Sequence, residues 1–269
     1  ASNVLGVCNN IAEISMITHK YGAHLLVDAA QLIAHRKIDM EVSGIDYLAF
    51  SAHKVYAPFG CGALVARKGM LKFSSEELKY IQSSGEENTG GVAALGKSFT
   101  ILDRIGMDLI REEEQAITRR ALHGMSQIPG LSIYGIKKPH SPNFAQKLGV
   151  IVFDIKGVIA FKVAKELAVQ SGIGVRSGCL CSHILIKRLL GVSPGLEKFQ
   201  RVIVSLFPKL SLPGLVRVSF GMENTEAEID KLILALNKIA KKQTDSSQKA
   251  SVKKQIQDFV IDSGSGVFD

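Results

Sequence analysis

Long apolar runs are missing from this chain of 269 residues. Uninterrupted runs such as VIVF at 150–153 fall far short of the roughly 20 residues that a membrane-spanning helix needs. The sequence begins at Ala1 without the basic stretch and following apolar stretch that mark a targeting peptide. We therefore expect an ordinary soluble globular protein with neither a membrane segment nor a targeting peptide.

Cysteine is scarce, with four in the chain, and two of them form the tight pair Cys179-Leu180-Cys181. This pattern does not resemble the dense disulfide framework of a small secreted domain, so we expect a reducing, cytoplasmic setting. The net charge of +8 comes from scattered Lys and Arg residues without aromatic–basic repeats or zinc-finger spacing. The positive charge alone does not indicate nucleic-acid binding, because anionic small molecules would suit it equally well. We expect no nucleic-acid partner.

The apolar periodicity is that of an α/β protein. A helix is predicted over 10–21, with Ile11, Ile14 and Ile17 on one face and Gly22 after its end. Two short apolar strands follow, HLLVD at 24–28 and DYLAFSA at 46–52, and each ends in polar residues. Ligands bind at the carboxyl edge of such sheets, so these polar side chains are expected to converge on one crevice.

Beyond residue 87 two helices are predicted, the second of them charged, and then the pattern resets into a smaller α+β arrangement. That second part contains the strands GVIVFDI and LVRVSFG and a last helix opened by the capping box Thr225-x-x-Glu228. The predicted organisation is a large domain at 1–106, a connecting helix at 107–128, a small α+β domain at 129–240 and a polar tail at 241–269.

The stretch AFSAHKVYAPFGCG at 49–62 suggests chemistry at a strand end. A lysine held in an apolar cleft there loses hydration, its pKa falls, and its neutral amine attacks aldehydes, which makes Lys54 a Schiff-base candidate. The aldehyde that uses such lysines most often is pyridoxal phosphate, whose pyridine nitrogen needs a carboxylate partner. Asp28 is placed for that role, and Ser51 and His53 can bind the phosphate.

Several motifs in order resemble the class V aminotransferase fold, specifically its cysteine desulfurase and selenocysteine lyase group. They span residues 1–240 and are SNVLG near the start, VDAAQ at 27–31, FSAHK at 50–54, ENTGG, VRSGCLC at 175–181 and VRVSFGMENTEAEID at 216–230. The resemblance implies the fold of a pyridoxal-phosphate-dependent transferase of the aspartate aminotransferase-like type. Its large domain has a mainly parallel sheet, which this chain would contain only in part, and its smaller C-terminal domain is α+β.

The resemblance also implies roles for the residues that match the cofactor motifs. Lys54 would bind the cofactor aldehyde, Asp28 would pair with the pyridinium, and Gln31 would contact the ring hydroxyl. Ser51 and His53 would hold the phosphate.

The substrate residues implied by the resemblance are Asn3, Arg176 and Arg217, and a planar guanidinium suits bidentate capture of a carboxylate. Cys181 matches the nucleophile that attacks the sulfur or selenium of the substrate and leaves a persulfide and alanine. Cys179 is then a bystander. Cysteine and selenocysteine both remain possible substrates, and transamination or epimerisation of another amino acid is the alternative. A sulfur-acceptor protein and a homodimer are implied partners.

The sequence also departs from the family pattern. The long N-terminal part that supplies a ring stacked on the cofactor and further phosphate donors is not present, so we expect a fragment of the family fold with exposed sheet edges and apolar surface. Glu86 lies where a family hydroxyl reaches the partner's phosphate, and a carboxylate would repel it. The segment 191–214 is an insert expected to reshape the substrate entrance.

Two other kinds of function compete with this interpretation. GVAALGKS at 91–98 satisfies the Walker A pattern, but its surroundings predict an amphipathic helix instead of a phosphate loop. Cys179, Cys181 and His183 could bind a metal, although no second cysteine pair completes such a site, and an inactive fragment is the remaining alternative.

Overall fold

The computed structural model describes residues 1–58, 60–83, 85, 87–192 and 214–246. They form two compact units. Unit 1 comprises Ala1–Ser2 and Val7–Glu114, and unit 2 comprises Asn3–Gly6 and the chain from Gln115 onward. The domain boundaries at 106 and 128 stay a prediction. Glu86, nearly all of the 191–214 insert and the tail from residue 247 lie outside the described residues.

Unit 1 has a small mixed sheet with helices around it. Its described strands are β1 (Leu26–Asp28), β2 (Tyr47–Ser51) and β3 (Gly62–Ala66), and its helices are α1 (Ile11–Lys20), α2 (Ser75–Ser83), α3 (Thr89–Ile105) and the first part of α4 (Met107–Ser126). β1 and β2 are parallel, whereas β3 runs antiparallel to β2. The link of about ten residues between β2 and β3 is too short for the crossover that a parallel pair requires. The described part of the sheet thus contains one parallel and one antiparallel strand pair.

Helix α1 forms where its periodicity predicts it, and Gly22 follows its end with a φ of +68°. Its apolar face is exposed, however, since Ile14 and Ile17 are 40% and 55% accessible. The buried side is made by Ser15, whose hydroxyl donates to the Gly44 carbonyl at 2.8 Å. The expected exposed apolar surface is thus present on this helix, and on α3 at Val92.

A buried carboxylate ties unit 1 together. Asp46, just before β2, accepts hydrogen bonds from the Leu25 amide at 2.8 Å and from the Arg67 guanidinium at 3.3 Å, and it pairs with His19 Nε2 at 2.7 Å. The Leu25 amide, followed by His19, lowers the Asp46 pKa to about 2. Asp46 therefore links α1, the start of β1 and the end of β3 through one side chain.

Unit 2 contains an antiparallel sheet in the order β4-β5-β7-β6. Its strands are β4 (Leu131–Tyr134), β5 (Val150–Ile155), β6 (Arg176–Gly178) and β7 (Leu215–Ser219), and its helices are the later part of α4, α5 (Ala160–Ser171), α6 (His183–Leu189) and α7 (Glu226–Ser246). The predicted capping box is confirmed, because Glu228 accepts from the Thr225 amide at 2.9 Å and the Thr225 hydroxyl accepts from the Glu228 amide at 3.4 Å. No helix among the described residues is both long and apolar enough to cross a bilayer.

The two faces of this sheet have different partners because side chains alternate along each strand. On one face Ile151, Phe153 and Val216 join the large core that includes Leu122 of α4, together with residues of α5 and α7. On the other face a smaller cluster is made by Val4, Val152, Ile186 and Leu215. The second face therefore carries α6 and the Asn3–Gly6 segment.

We predict that Asp46→Asn destabilises unit 1 by about 2 kcal/mol, since hydrogen bonds to a charged group contribute about that much. The Asp46 pKa is lowered in the folded state, so its contribution is present above about pH 4 and is lost as pH falls toward about 2. Urea unfolding from pH 7 to pH 3 measures both effects. Asp103→Asn, at an exposed position of α3, is the control. Equal losses of unfolding free energy in the two variants would contradict the stabilising role of Asp46.

Candidate active site

The carboxyl edge of the parallel pair in unit 1 carries two of the predicted cofactor residues. Asp28 is the last residue of β1 and lies opposite Ala49, two positions before Ser51 ends β2. Asp28 is exposed, and its Oδ1 accepts from the Ala30 amide at 2.9 Å, which fixes the side chain in a turn. A carboxylate and a hydroxyl therefore lie at the same edge of the sheet, as the sequence predicts.

The loop after β1 carries Gln31. The Ala29 amide donates to the Ala49 carbonyl at 2.8 Å, so this loop continues along β2 before it turns. Ala29 is fully buried, whereas Gln31 is half-buried. Gln31 therefore lies in the loop that leaves the same edge of the sheet as Asp28.

Lys54 lies in a 3₁₀ turn, Ala52–Lys54, directly after β2. This turn directs Ala52 and the following Val55 into the core, both with no exposed surface, and leaves His53 and Lys54 exposed. The expected burial of Lys54 in an apolar cleft is therefore wrong for the described residues. The physical reason is the three-residue period of the 3₁₀ turn, which directs Ala52 and Val55 inward and both His53 and Lys54 outward, where an extended strand end was assumed.

The Walker A match is a regular helix in the structure. Residues 91–98 lie within α3, Asn88 caps that helix by accepting from the Gly91 amide at 3.0 Å, and Gly91 is buried. Ser98, the last residue of the match, donates its hydroxyl to the Val55 carbonyl. The backbone amides that a phosphate loop must leave free are used inside the helix, so the nucleotide-binding alternative is excluded.

Two arginines of unit 2 lie directly opposite each other. The register of β6 and β7 pairs Arg176 with Arg217, and Arg217 is in turn opposite Val152 of β5. Directly paired residues share a face of the sheet with Cβ atoms about 5 Å apart. The structure thus brings together the two guanidinium side chains that the sequence proposed for substrate binding, on the same face as the smaller apolar cluster.

Arg217 has an environment suited to an anion. Its Nη1 donates to the Asn3 carbonyl at 2.8 Å, and its buried Nε has no hydrogen-bond partner in the described structure. Burial lowers the pKa of Arg217, Arg176 lowers it further, and Cys181 acts in the opposite direction. Because two cations repel across the strand pair, a bound carboxylate would offset this repulsion.

Cys181 lies at the tip of a turn in unit 2. The Ser182 amide donates to the Cys179 carbonyl at 2.8 Å, and the two residues between them, Leu180 and Cys181, have φ of +51° and +59°. Non-glycine residues rarely adopt this left-handed conformation. The turn leaves Cys181 exposed, whereas burial raises the pKa of half-buried Cys179 despite Lys187 nearby.

Comparison with known proteins identifies the family. Residues 1–232 match the family described as aminotransferase class-V. The chain belongs to this family. It is 31% identical to a cysteine desulfurase of Klebsiella pneumoniae over 260 residues, covering 89% of this chain and 57% of that protein. It is 32% identical to a probable cysteine desulfurase of Halalkalibacterium halodurans over 256 residues, covering 88% and 56%.

A solved structure gives the same result for the fold. The apo cysteine desulfurase of Thermococcus onnurineus superposes with a TM-score of 0.72 at 26% identity, covering 90% of this chain and 58% of that one. The predicted α/β fold class is confirmed, and class-V aminotransferases are in general pyridoxal-phosphate-dependent. The chain spans little more than half the length of the curated relatives it matches.

Two features of this class-V chain were not predicted from the sequence. Ser98 anchors the turn that contains Lys54, and Lys147 is a buried lysine beside the Asn3–Gly6 segment. A lysine two residues before the apolar strand GVIVFDI was a visible signal for Lys147, but no local pattern marked Ser98. Among the described residues no group of three or more His, Cys, Asp or Glu side chains is arranged to hold a metal, so the Cys179–Cys181–His183 alternative gains no support.

We predict that Ser98→Ala lowers the free energy of unfolding by about 1–3 kcal/mol, because the buried Val55 carbonyl loses a hydrogen-bond donor. Lys97→Ala, at the exposed neighbouring position, should leave stability unchanged. Urea denaturation of both variants measures this difference. ATP binding that depends on Lys97 would contradict the helical assignment of this segment.

Proposed function

We propose that this chain carries the reacting residues of a pyridoxal-phosphate-dependent cysteine desulfurase, which transfers sulfur from an amino acid to Cys181 and leaves alanine. The observation that carries the proposal is the Arg176–Arg217 pair beside the exposed Cys181 turn in unit 2. A transaminase needs the two arginines but has no use for an exposed thiol next to them. The names of the relatives support the same activity.

The residues of unit 1 fit pyridoxal phosphate by their chemistry. Lys54 offers an accessible amine for the aldehyde, Asp28 a carboxylate for the pyridine nitrogen, and Ser51 and His53 donors for the phosphate, with Gln31 for the ring hydroxyl. When bound, the cofactor supplies an aldehyde and an electron-withdrawing ring that weakens the bonds around the substrate's α-carbon. Asp28, already oriented by the Ala30 amide, keeps its second oxygen for the ring.

The paired arginines bind the carboxylate of the substrate. A carboxylate between Arg176 and Arg217 relieves their mutual repulsion. Guanidinium–carboxylate pairs of this kind are bidentate and fix the direction of the bound group as well as its position. Asn3 accepts from Arg217 with its carbonyl and donates its side-chain amide to the Leu180 carbonyl, so it lies between the arginine pair and the Cys181 turn.

Sulfur transfer falls to Cys181. Its thiolate attacks the substrate sulfur, an S–S bond forms, the C–S bond breaks, and the carbon keeps the electron pair. After that carbon takes a proton, the amino-acid product is alanine and Cys181 carries a persulfide. The exposed position of Cys181 lets a second thiol, such as that of an acceptor protein, reach the persulfide. Selenocysteine would use the same groups.

We predict that Lys54 is the residue that binds the cofactor. Borohydride treatment of the protein with pyridoxal phosphate should attach one pyridoxyl group to the peptide that contains Lys54, as measured by mass spectrometry. Lys54→Ala should lose the label, whereas Lys68→Ala, just after β3 at the opposite end of the sheet, should keep it. Equal labelling of both lysines would show nonspecific reaction and contradict the assignment.

We predict that Cys181→Ser keeps cofactor binding and loses persulfide formation on incubation of the holoenzyme with cysteine. Cys179→Ser should retain most of it, because burial keeps Cys179 largely in the thiol form. Mass spectrometry of the tryptic peptide 177–187, which holds both cysteines, locates the added sulfur. Sulfur on Cys179 alone would overturn the mechanism and favour transamination.

A further inference from the structure

Lys147 is among the most deeply buried side chains of unit 2, with 1% of its surface exposed. Lysine is almost never fully buried unless its amine is paired. Its Nζ donates to the Leu5 carbonyl at 2.7 Å and to the Val150 carbonyl. One amine therefore joins the Asn3–Gly6 segment to the first residue of β5.

The Asn3–Gly6 segment lies directly against this amine. The Leu148 amide donates to the Gly6 carbonyl at 2.8 Å, and Gly6 has a φ of +60°. A Cβ added at Gly6 would lie 2.7 Å from the Val150 carbonyl oxygen and 3.0 Å from Lys147 Nζ. The approach is so close that only glycine fits, and the position of the segment along β5 is fixed by polar contacts as well as by buried Val4.

The same segment reaches the candidate active site through Asn3. Its Nδ2 donates to the Leu180 carbonyl at 2.8 Å, and its own carbonyl accepts from Arg217 at 2.8 Å. Leu180 and Cys181 both have positive φ, a conformation that persists only when surrounding contacts impose it. Asn3 supplies such a contact at the peptide group that joins Leu180 to Cys181.

We propose that Lys147 is a positioning residue for Cys181, acting through the Asn3–Gly6 segment. Lys147 holds the Leu5 carbonyl, this fixes where Asn3 lies, and Asn3 in turn holds both the Cys181 turn and the Arg217 guanidinium. The inference rests on the proposed function in taking Cys181 as the sulfur acceptor. An apolar residue of similar length would fill the same volume, but it would leave the Leu5 and Val150 carbonyls without this donor.

The test is hydrogen exchange at the Ser182 amide, which closes the Cys181 turn by donating to the Cys179 carbonyl. Wild type, Asn3→Ala, Lys147→Met and the double variant are compared by mass spectrometry, after acid quench and pepsin digestion, with fragmentation of a peptide that spans Ser182. Exchange should rise roughly five- to tenfold in each single variant, as expected when the Asn3–Leu180 hydrogen bond at the turn is lost or weakened. The double variant should rise no further, because both residues act along one series of contacts.

Core variants distinguish positioning from general loss of stability. Leu236→Ala and the milder Ile239→Val remove methyl or methylene groups from the core on the opposite face of the sheet. When a core variant has the same melting temperature as Lys147→Met, its Ser182 amide should still exchange at the wild-type rate. Additive effects of Asn3→Ala and Lys147→Met, or equal acceleration in the core variants, would overturn the inference.

A second measurement links this turn to the chemistry. In the holoenzyme, Lys147→Met should slow persulfide formation on Cys181 while the cofactor label on Lys54 stays complete. Failure to label Lys54 at all would count against the proposed function without affecting the exchange result. Normal persulfide formation despite faster exchange would overturn the positioning role itself.

Discussion

The candidate site depends on the antiparallel pairing of β6 with β7, which sets Arg176 directly opposite Arg217. Like charges in such a pair are unfavourable, and burial adds to the cost at Arg217. The sheet tolerates this because β7 is an inner strand whose other face, through Val216 and Val218, is locked into the large core. A core built on one face of the sheet thus holds a pair of like charges in place on the other face.

The two halves of the chemistry have different structural supports. In unit 1 a parallel strand pair places Asp28 and Ser51 at one edge of the sheet. Ser98 of α3 donates to the Val55 carbonyl at the end of the turn that contains Lys54. In unit 2 an antiparallel sheet presents the arginines, while the Asn3–Gly6 segment supplies the amide that holds the Cys181 turn. Each set is positioned by backbone register and buried hydrogen bonds, which are more rigid than contacts between long exposed side chains.

Local patterns in the sequence predicted the elements and the motifs well. The capping box at Thr225, the helix end at Gly22 and the strand ends at Asp28 and Ser51 all follow from short-range rules. The exposed position of Lys54 was missed because a 3₁₀ turn and a strand end look alike over three residues. The Lys147–Leu5 and Asn3–Leu180 hydrogen bonds could not be predicted, since they join positions more than 140 residues apart, and no periodicity records such pairings.

The structure also distinguishes the environments of the two neighbouring thiols, independently of the motif. Cys179 follows β6 and is half-buried, so desolvation raises its pKa and reduces the thiolate available at neutral pH. Cys181 lies two residues further along a left-handed turn, is exposed, and interacts electrostatically with Arg217. The left-handed backbone costs free energy of order 1–3 kcal/mol per residue, so it persists only where surrounding contacts stabilise it. Asn3 provides such a contact, and the thiol that benefits from it is Cys181.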